Sequence, residues 1–326
     1  MKKILAAVLA AATLFTCSAC GGTETTNSND EKKTEKYTIG ICQLAPHEAL
    51  DAATEGFKRA VTEKLGAENV EFLTNNAGGD SATCISIIGD FVTKEVDLIM
   101  ANATAALQTA ANATTEIPIL GTSVTEYGVA LGIKDFNGTV GGNISGTSDL
   151  APLDKQAQMI LDLVPDAKKV GILYCSAEPN SVYQADVVKK YLEDKGVKVE
   201  IYKFSDSSDV TAVANAAAAA SDAIYIPTDN KAAECAQTIN NEVLPTKTPI
   251  IAGESGICSG CGIATLSISY DELGYKTGLM AVKVLTGESK IEEMPIEYYD
   301  NPTPKYNETI CKELNIKVPD NYEKLS

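Results

Sequence analysis

Short apolar runs alternate along most of this chain with longer stretches whose apolar side chains recur every three or four positions. "YTIGIC", starting at Tyr37, reads as a buried strand. In "HEALDAATEGFKRAVTEKLG", Leu50, Ala53, Phe57, Ala60, Val61 and Leu65 share one helical face, and Gly66 marks the stop. "VEFLTN", "VDLIMA" and "IPILGT" predict further strands, separated by helices over "SATCISIIGDFVTKE" and "TAALQTAANAT". The series then restarts. "KKVGILYC", "VKVEIYKF", "DAIYIPT" and "TPIIAG" predict strands. Between them lie helices over 153–164, "SVYQADVVKKYLEDKG", "VTAVANAAAAA" and "KAAECAQTINNEVL". Such alternation specifies α/β architecture, with parallel sheets flanked by helices. Two Rossmann-like lobes follow. Their local texture repeats: "VDLIMANATAA" parallels "SDAIYIPTDNKAA", and "IPILGTS" parallels "TPIIAGES".

The last elements are too few for a third domain. "GIATLSISYDELGYKTGLMAVKVLTGE" predicts a strand and a helix, "MPIEYYD" a strand, and "PKYNETICKELNI" a short helix. They complete the two sheets if the chain crosses between lobes near 141–148, 262–268 and 295–301. One lobe is then 37–143 plus 265–295, and the other 144–264 plus 296–326, joined by a three-segment hinge.

The first residues break the pattern. "MKK" followed by "ILAAVLAAATLF" reads as a secretory signal peptide over 1–19, its apolar stretch too short to span a bilayer comfortably. "CSAC" resembles a bacterial lipobox, with Ser18 and Ala19 in place before a lipidated Cys20, although Cys17 stands where an aliphatic residue is usual. The polar stretch 20–36 cannot bury surface and suits a disordered tether between a lipid anchor and the folded body. The expected location is the outer face of the cell membrane.

Composition narrows the function. The 326 residues are 44% hydrophobic and 22% charged, as in globular proteins generally. A formal charge of −17 argues against nucleic-acid binding, which needs a basic surface. Catalysis has little support. His47 is the one histidine and reads as a surface or capping residue, and the chain has no G-x-S-x-G elbow, no P-loop and no G-x-G-x-x-G after a strand. No cofactor or metal is implied.

Binding fares better. In open parallel sheets, ligands sit beyond the carboxyl ends of the strands. Here those loops are "QLAPHE", "NAGGDS", "NATAA", "GTSVTEY", "SAEPNS", "PTDNKAA" and "GESG". Half of their polar residues are explained as helix caps. Arg59, the one arginine, lies mid-helix, so a ligand carboxylate would rely on hydroxyls and helix N-termini around Asn102, Thr104, Thr122 and Ser123. Glu178, Asp229 and Glu254 supply acceptors for an ammonium from the other lobe. Donors on one wall and acids on the other suit a zwitterion.

The stretches "IGICQLAPHEALDAATEGF", "DLIMANATAALQTAA", "IPILGTSVTEYG", "NGTVGGNISGTSDLAPLDKQ", "VGILYCSAEPNS", "IYIPTDN", "AGESGICSGCGIATLSISYDELGY" and "YNETICKELNI" cover nearly all of 37–320. Together they resemble the extracytoplasmic solute-binding lipoproteins of ABC importers, in the tryptophan/tyrosine-type branch of Gram-positive bacteria. The resemblance implies a type I periplasmic-binding fold, a monomer that closes on an amino acid in the cleft and delivers it to a membrane permease with its ATPase. It places ligand contacts at Asn102, Thr104, Ser123, Glu178, Asn180, Asp229 and Glu254, with Gln43 and residues 44–46 facing the cleft. Tyr127 and Tyr183 are candidates for stacking on the ligand side chain. It favours an aromatic amino acid; composition and spacing do not separate tryptophan, tyrosine, phenylalanine or a branched aliphatic. A surface adhesin or sensor on the same fold is the alternative.

The second C-x-x-C pair, "CSGC", reads as part of a strand-loop-strand, where the expectation outside the cytoplasm is a local disulfide between Cys258 and Cys261. A four-cysteine zinc site is not expected, because "CSAC" falls at the end of the signal peptide.

Overall fold

A computed structural model describes residues 36–299 and 302–325. The signal peptide and Cys20, and with them nearly all of the expected tether, lie outside the described residues. The first lobe runs β1 (Tyr37–Gln43), α1 (Glu48–Leu65), β2 (Val70–Asn76), α2 (Ser81–Thr93), β3 (Leu98–Asn102), α3 (Thr104–Ala113), β4 (Ile119–Val124), α4 (Tyr127–Leu131) and β5 (Ile144–Ser148). The second runs α5 (Leu153–Leu163), β6 (Lys169–Cys175), α6 (Pro179–Asp194), β7 (Lys198–Phe204), α7 (Val210–Ala220), β8 (Ala223–Ile226), α8 (Asn230–Glu234), α9 (Ala236–Val243), β9 (Ile250–Ala252), α10 (Ser255–Gly260) and β10 (Ala264–Ser267). The chain ends through α11 (Tyr270–Leu285), β11 (Glu297–Tyr298), β12 (Thr303–Tyr306), α12 (Glu308–Leu314) and β13 (Glu323–Lys324).

Both sheets are parallel at their centres and repeat one topology. The first is ordered β11-β5-β4-β3-β1-β2 and the second β13-β12-β10-β9-β8-β6-β7. Taken from its own first strand, each lobe therefore has the order 2-1-3-4-5. The chain changes direction beside β1 in one and beside β6 in the other, which opens a crevice at their carboxyl ends. Among the described strands, only β12 pairs antiparallel, against β10. Strands buried on both faces explain the unbroken apolar runs: Ile39 and Ile41 face one cluster with Phe57 and Leu98, and Cys42 faces another with Ile88 and Phe91.

Strand pairing sets the lobe limits a few residues from those expected. Residues 144–148 form β5 and pair with β4, so they close the first sheet rather than open the second lobe. Likewise β11 pairs with β5 in the first sheet, while β10, at 264–267, pairs with β9 in the second. The crossings are therefore 149–152, 268–269 and the link from β11 to β12. The helix expected over "KAAECAQTINNEVL" breaks at Cys235 into α8 and α9. "CSGC" is helical: Cys258 lies in α10 and Cys261 caps its end, in place of the expected strand-loop-strand. Both are free, buried thiols. Cys261 Sγ turns back to Ile257 O at 3.3 Å, so it is satisfied within its own helical turn and the expected disulfide is not formed.

Candidate functional site

Three groups of residues converge between the lobes. The first lobe supplies His47 and Leu50 from the start of α1, and Ser123 and Thr125 from the end of β4. The second supplies Asn180 at the start of α6, Thr228, Asp229 and Asn230 beyond β8, Ala233, and Glu254 beyond β9. The crossings add Asp149, just after β5, and Tyr270, the first residue of α11. Together they line a narrow cleft whose free space is about 10 Å³. Its described lining carries three acids and no lysine or arginine.

Local geometry explains how several of these side chains point inward. The β4–β5 register shifts between Gly121 and Val124, and Ser123 adopts a left-handed φ of 54°. That strained conformation leaves Ser123 Oγ buried without a partner. Asp149 is 4% exposed. Its Oδ2 accepts a 3.0 Å hydrogen bond from the Tyr270 hydroxyl, whereas Oδ1 has no partner in the protein. Burial pushes the Asp149 carboxyl up to about 6, against the help of Thr125 and Tyr270. Burial, with the neighbouring Glu178 charge, also raises Asp229, although Cys175 N, Ala232 N and Ser181 Oγ all donate to it at 2.7 Å. Glu254 is raised by burial, offset by His47 nearby and by the backbone N–H groups of Gly256 and Ile257 that it caps.

His47 links the lobes. Its Nε2 lies 3.1 Å from Asn230 Oδ1, and its Nδ1 is buried and unpartnered. The Asn230 amide donates to Glu178 Oε2 at 2.7 Å, so Asn230 Oδ1 is free to accept and His47 Nε2 is the donor. Beside this bridge, Gly79 of the first lobe lies against Lys231 and Glu234 of the second, so closely that a Cβ on Gly79 would collide with both.

Of the residues expected at the site, Ser123, Asn180, Asp229 and Glu254 line the cavity. The others lie outside its lining. Gln43 Nε2 donates to Ala45 O and Asp51 Oδ1, and its Oε1 accepts from Thr54. Asn102 Nδ2 donates to Leu50 O and Thr54 Oγ1. These two residues brace the first turn of α1, and Thr104 is buried at the start of α3. Glu178 holds four donors around α8: Asn230 N and Nδ2, Lys231 N and Asn180 Nδ2. It is a capping group, the role that helix-start statistics assign to acids in such loops. Tyr127 is 1% exposed and donates its hydroxyl to Thr147 O at 3.0 Å. Gly121 and Gly146 clear the room for its ring, which belongs to the first lobe's core rather than to a stacking wall. Tyr183 lies half-buried near Glu126 and Tyr298, outside the cavity lining.

Asp149, Tyr270, Thr125, Thr228 and Asn230, with Leu50 and Ala233, complete the cavity without having been singled out, and His47 joins it although it reads as a surface or capping residue. Sorting loops by strand end ranks residues within one lobe. It does not find a hinge residue such as Asp149, which becomes a wall only where both lobes face it.

A family model described as ABC transporter substrate binding protein matches residues 38–326. The chain is 35% identical over 320 residues to a tyrosine-binding protein of Clostridioides difficile strain R20291, covering 97% of this chain and 92% of that one. It superposes on the crystal structure of an ABC domain of Streptococcus pneumoniae in complex with L-Trp, with a TM-score of 0.85, 28% identity and coverage of 90% of this chain and 100% of the other. Against the ligand-free, open structure of a Clostridium difficile substrate-binding protein with adhesive properties, the TM-score is 0.68 at 36% identity, with 89% and 99% coverage. The chain thus superposes better on the L-Trp complex although it shares more sequence with the open protein.

Proposed function

The chain belongs to the ABC transporter substrate-binding proteins, and from that premise we propose that it captures an aromatic amino acid between its lobes and presents it to a membrane permease. The observation that carries the ligand class is the unpartnered Asp149 Oδ1 in an enclosed, acid-lined cavity, an acceptor waiting for an ammonium. Ser123 Oγ and the start of α1, which no side chain caps, offer donors for a carboxylate. The names of the relatives, one tyrosine-binding and one bound to L-Trp, support an aromatic side chain. Proteins of this family work outside the cytoplasm, and no helix among the described residues is long and apolar enough to cross a membrane. A lipid on Cys20 would hold the protein at the membrane surface.

The His47–Asn230 bridge and the packing of Gly79 on Lys231 and Glu234 give the arrangement of a closed cleft, which a permease reads as the loaded signal. A thermal-shift screen of amino acids, sugars and nucleosides tests the ligand class. Tyrosine, tryptophan or phenylalanine at 100 times its Kd is expected to add about 2.7 kcal/mol. Stabilisation by sugars alone would overturn the reading. A second reading, adhesion, draws on the adhesive relative and predicts the same ligand without a permease partner.

Two further outcomes follow from the site. Asn230→Ala removes the inter-lobe bond and is expected to weaken binding about 10-fold, chiefly through a faster koff in stopped-flow measurements. Affinity is also expected to fall as pH drops through about 6, because Asp149 must be ionised to hold an ammonium and takes up a proton there. The limiting slope is about tenfold per pH unit, measurable by calorimetry between pH 5 and 8 in roughly half-unit steps.

A further inference from the structure

Resting on the amino-acid reading, we propose that the cavity recognises its ligand chiefly through the ammonium group, so that the decarboxylated aromatic amine is a second class of ligand for the same site.

Most donors that face the cavity are spent inside the protein. Asn180 Nδ2 donates to Thr228 O at 2.9 Å. Asn230 Nδ2 is held by Glu178 Oε2, the Tyr270 hydroxyl by Asp149 Oδ2, and the Thr228 hydroxyl by Gly253 O. His47 places its Nε2 proton on Asn230 Oδ1. Three buried side-chain atoms of the lining remain unpartnered: Asp149 Oδ1, which can only accept when ionised, His47 Nδ1, and Ser123 Oγ, which can donate.

That balance fits one end of a zwitterion better than the other. An ammonium brings three donors and a positive charge to the waiting Asp149 Oδ1, beside the buried carboxyl groups of Asp229 and Glu254, each of the three no more than 4% exposed. A carboxylate brings a negative charge beside those acids and finds the hydroxyls of Ser123 and Thr125 and the start of α1. Glu48 and Asp51 in the first turn of α1 offset its positive end. With no lysine or arginine in the described lining, nothing there answers the carboxylate in kind. Removing the carboxyl group costs the ligand its charge-assisted hydrogen bonds but also relieves its repulsion from the buried acids. Removing the amine leaves buried acids without a counter-charge.

Isothermal titration of the purified protein tests this with matched probes: L-tyrosine, tyramine and 3-(4-hydroxyphenyl)propionate, and the corresponding tryptophan series. The amine is expected to bind within about 30-fold of its amino acid and to be displaced by it. The acid lacking the amine is expected to bind at least about 100-fold more weakly than the amino acid. Asp149→Asn should weaken amine and amino acid alike, its folding checked by circular dichroism. If the amino acids bind while the amines give no heat, the inference is overturned and the amino-acid reading stands. If the amine binds but is not displaced by the amino acid, it occupies another site and the inference again fails. If no amino acid binds, both fall.

Discussion

Asp149→Asn is expected to reduce affinity for the amino-acid ligand about 100-fold while raising the melting temperature of the empty protein. Both effects come from one group. Asp149 is fully enclosed at the hinge, with one oxygen bonded to Tyr270 and the other facing the cavity unpaired. In the complex, its charge meets an ammonium in a place from which water is excluded, and such hydrogen bonds to charged groups are worth about 1.5–3 kcal/mol. In the empty protein the same charge is a cost. Its folded-state value, about 6, lies above that of an unfolded aspartate. Its contribution to stability is therefore present below the unfolded value and lost as pH rises through about 6. At pH 8 the charged form costs up to about 3 kcal/mol relative to the protonated one. Asparagine keeps the shape and accepts from Tyr270 but carries no charge. Calorimetric titration and a melt of the ligand-free protein at pH 8 read the two effects separately. A variant that binds as tightly as the parent would remove Asp149 from the site.

Gly274→Ala is expected to destabilise the fold by about 3 kcal/mol, at the upper end of what overpacking costs. Helices α1 and α11 cross with glycines at the contact, and a Cβ on Gly274 would run into the backbone carbonyl of Ala53. Gly56 and Gly278 make the same close approach, to Asp271 O and Phe57 O. Because the obstacle is main chain on a second rigid helix, neither side can turn away as a side chain would. The contact carries α11, and with it Tyr270, onto the first lobe, so loss of packing there also disturbs the cavity. Gly89→Ala in α2 is the matched control. Nothing lies within 4 Å of its Cβ position, and the same substitution should stabilise by about 0.5–1 kcal/mol. Urea unfolding of the pair should show shifts of opposite sign.

The architecture was legible because each lobe repeats a strand-helix period that stands out above local noise. Strands buried on both faces, such as "LIMAN" over 98–102, need no tertiary context to be recognised. The lobe limits were less legible. "ISGTS" at 144–148 carries no signal of which sheet it joins; pairing with β4 decides that. The candidate site was legible only in part. Strand ends located Ser123, Asn180, Asp229 and Glu254, but residue type alone cannot separate an acid that caps a neighbouring helix, such as Glu178, from one with a free oxygen, such as Asp149. Tyr127 shows the same limit for aromatics, since the gap between Gly121 and Gly146 that receives it forms only when β4 and β5 pair. His47, which reads as a capping residue, does sit at the N-cap of α1, yet makes no side-chain cap bond and reaches across to Asn230 instead.

A crystal structure of the protein grown with L-tyrosine or L-tryptophan tests the central claim most directly. The account predicts the amino acid between the lobes, its ammonium nitrogen about 3 Å from Asp149 Oδ1, with the His47–Asn230 bridge intact. A ligand bound outside the cleft, or one inside it whose ammonium points away from Asp149, would contradict the account.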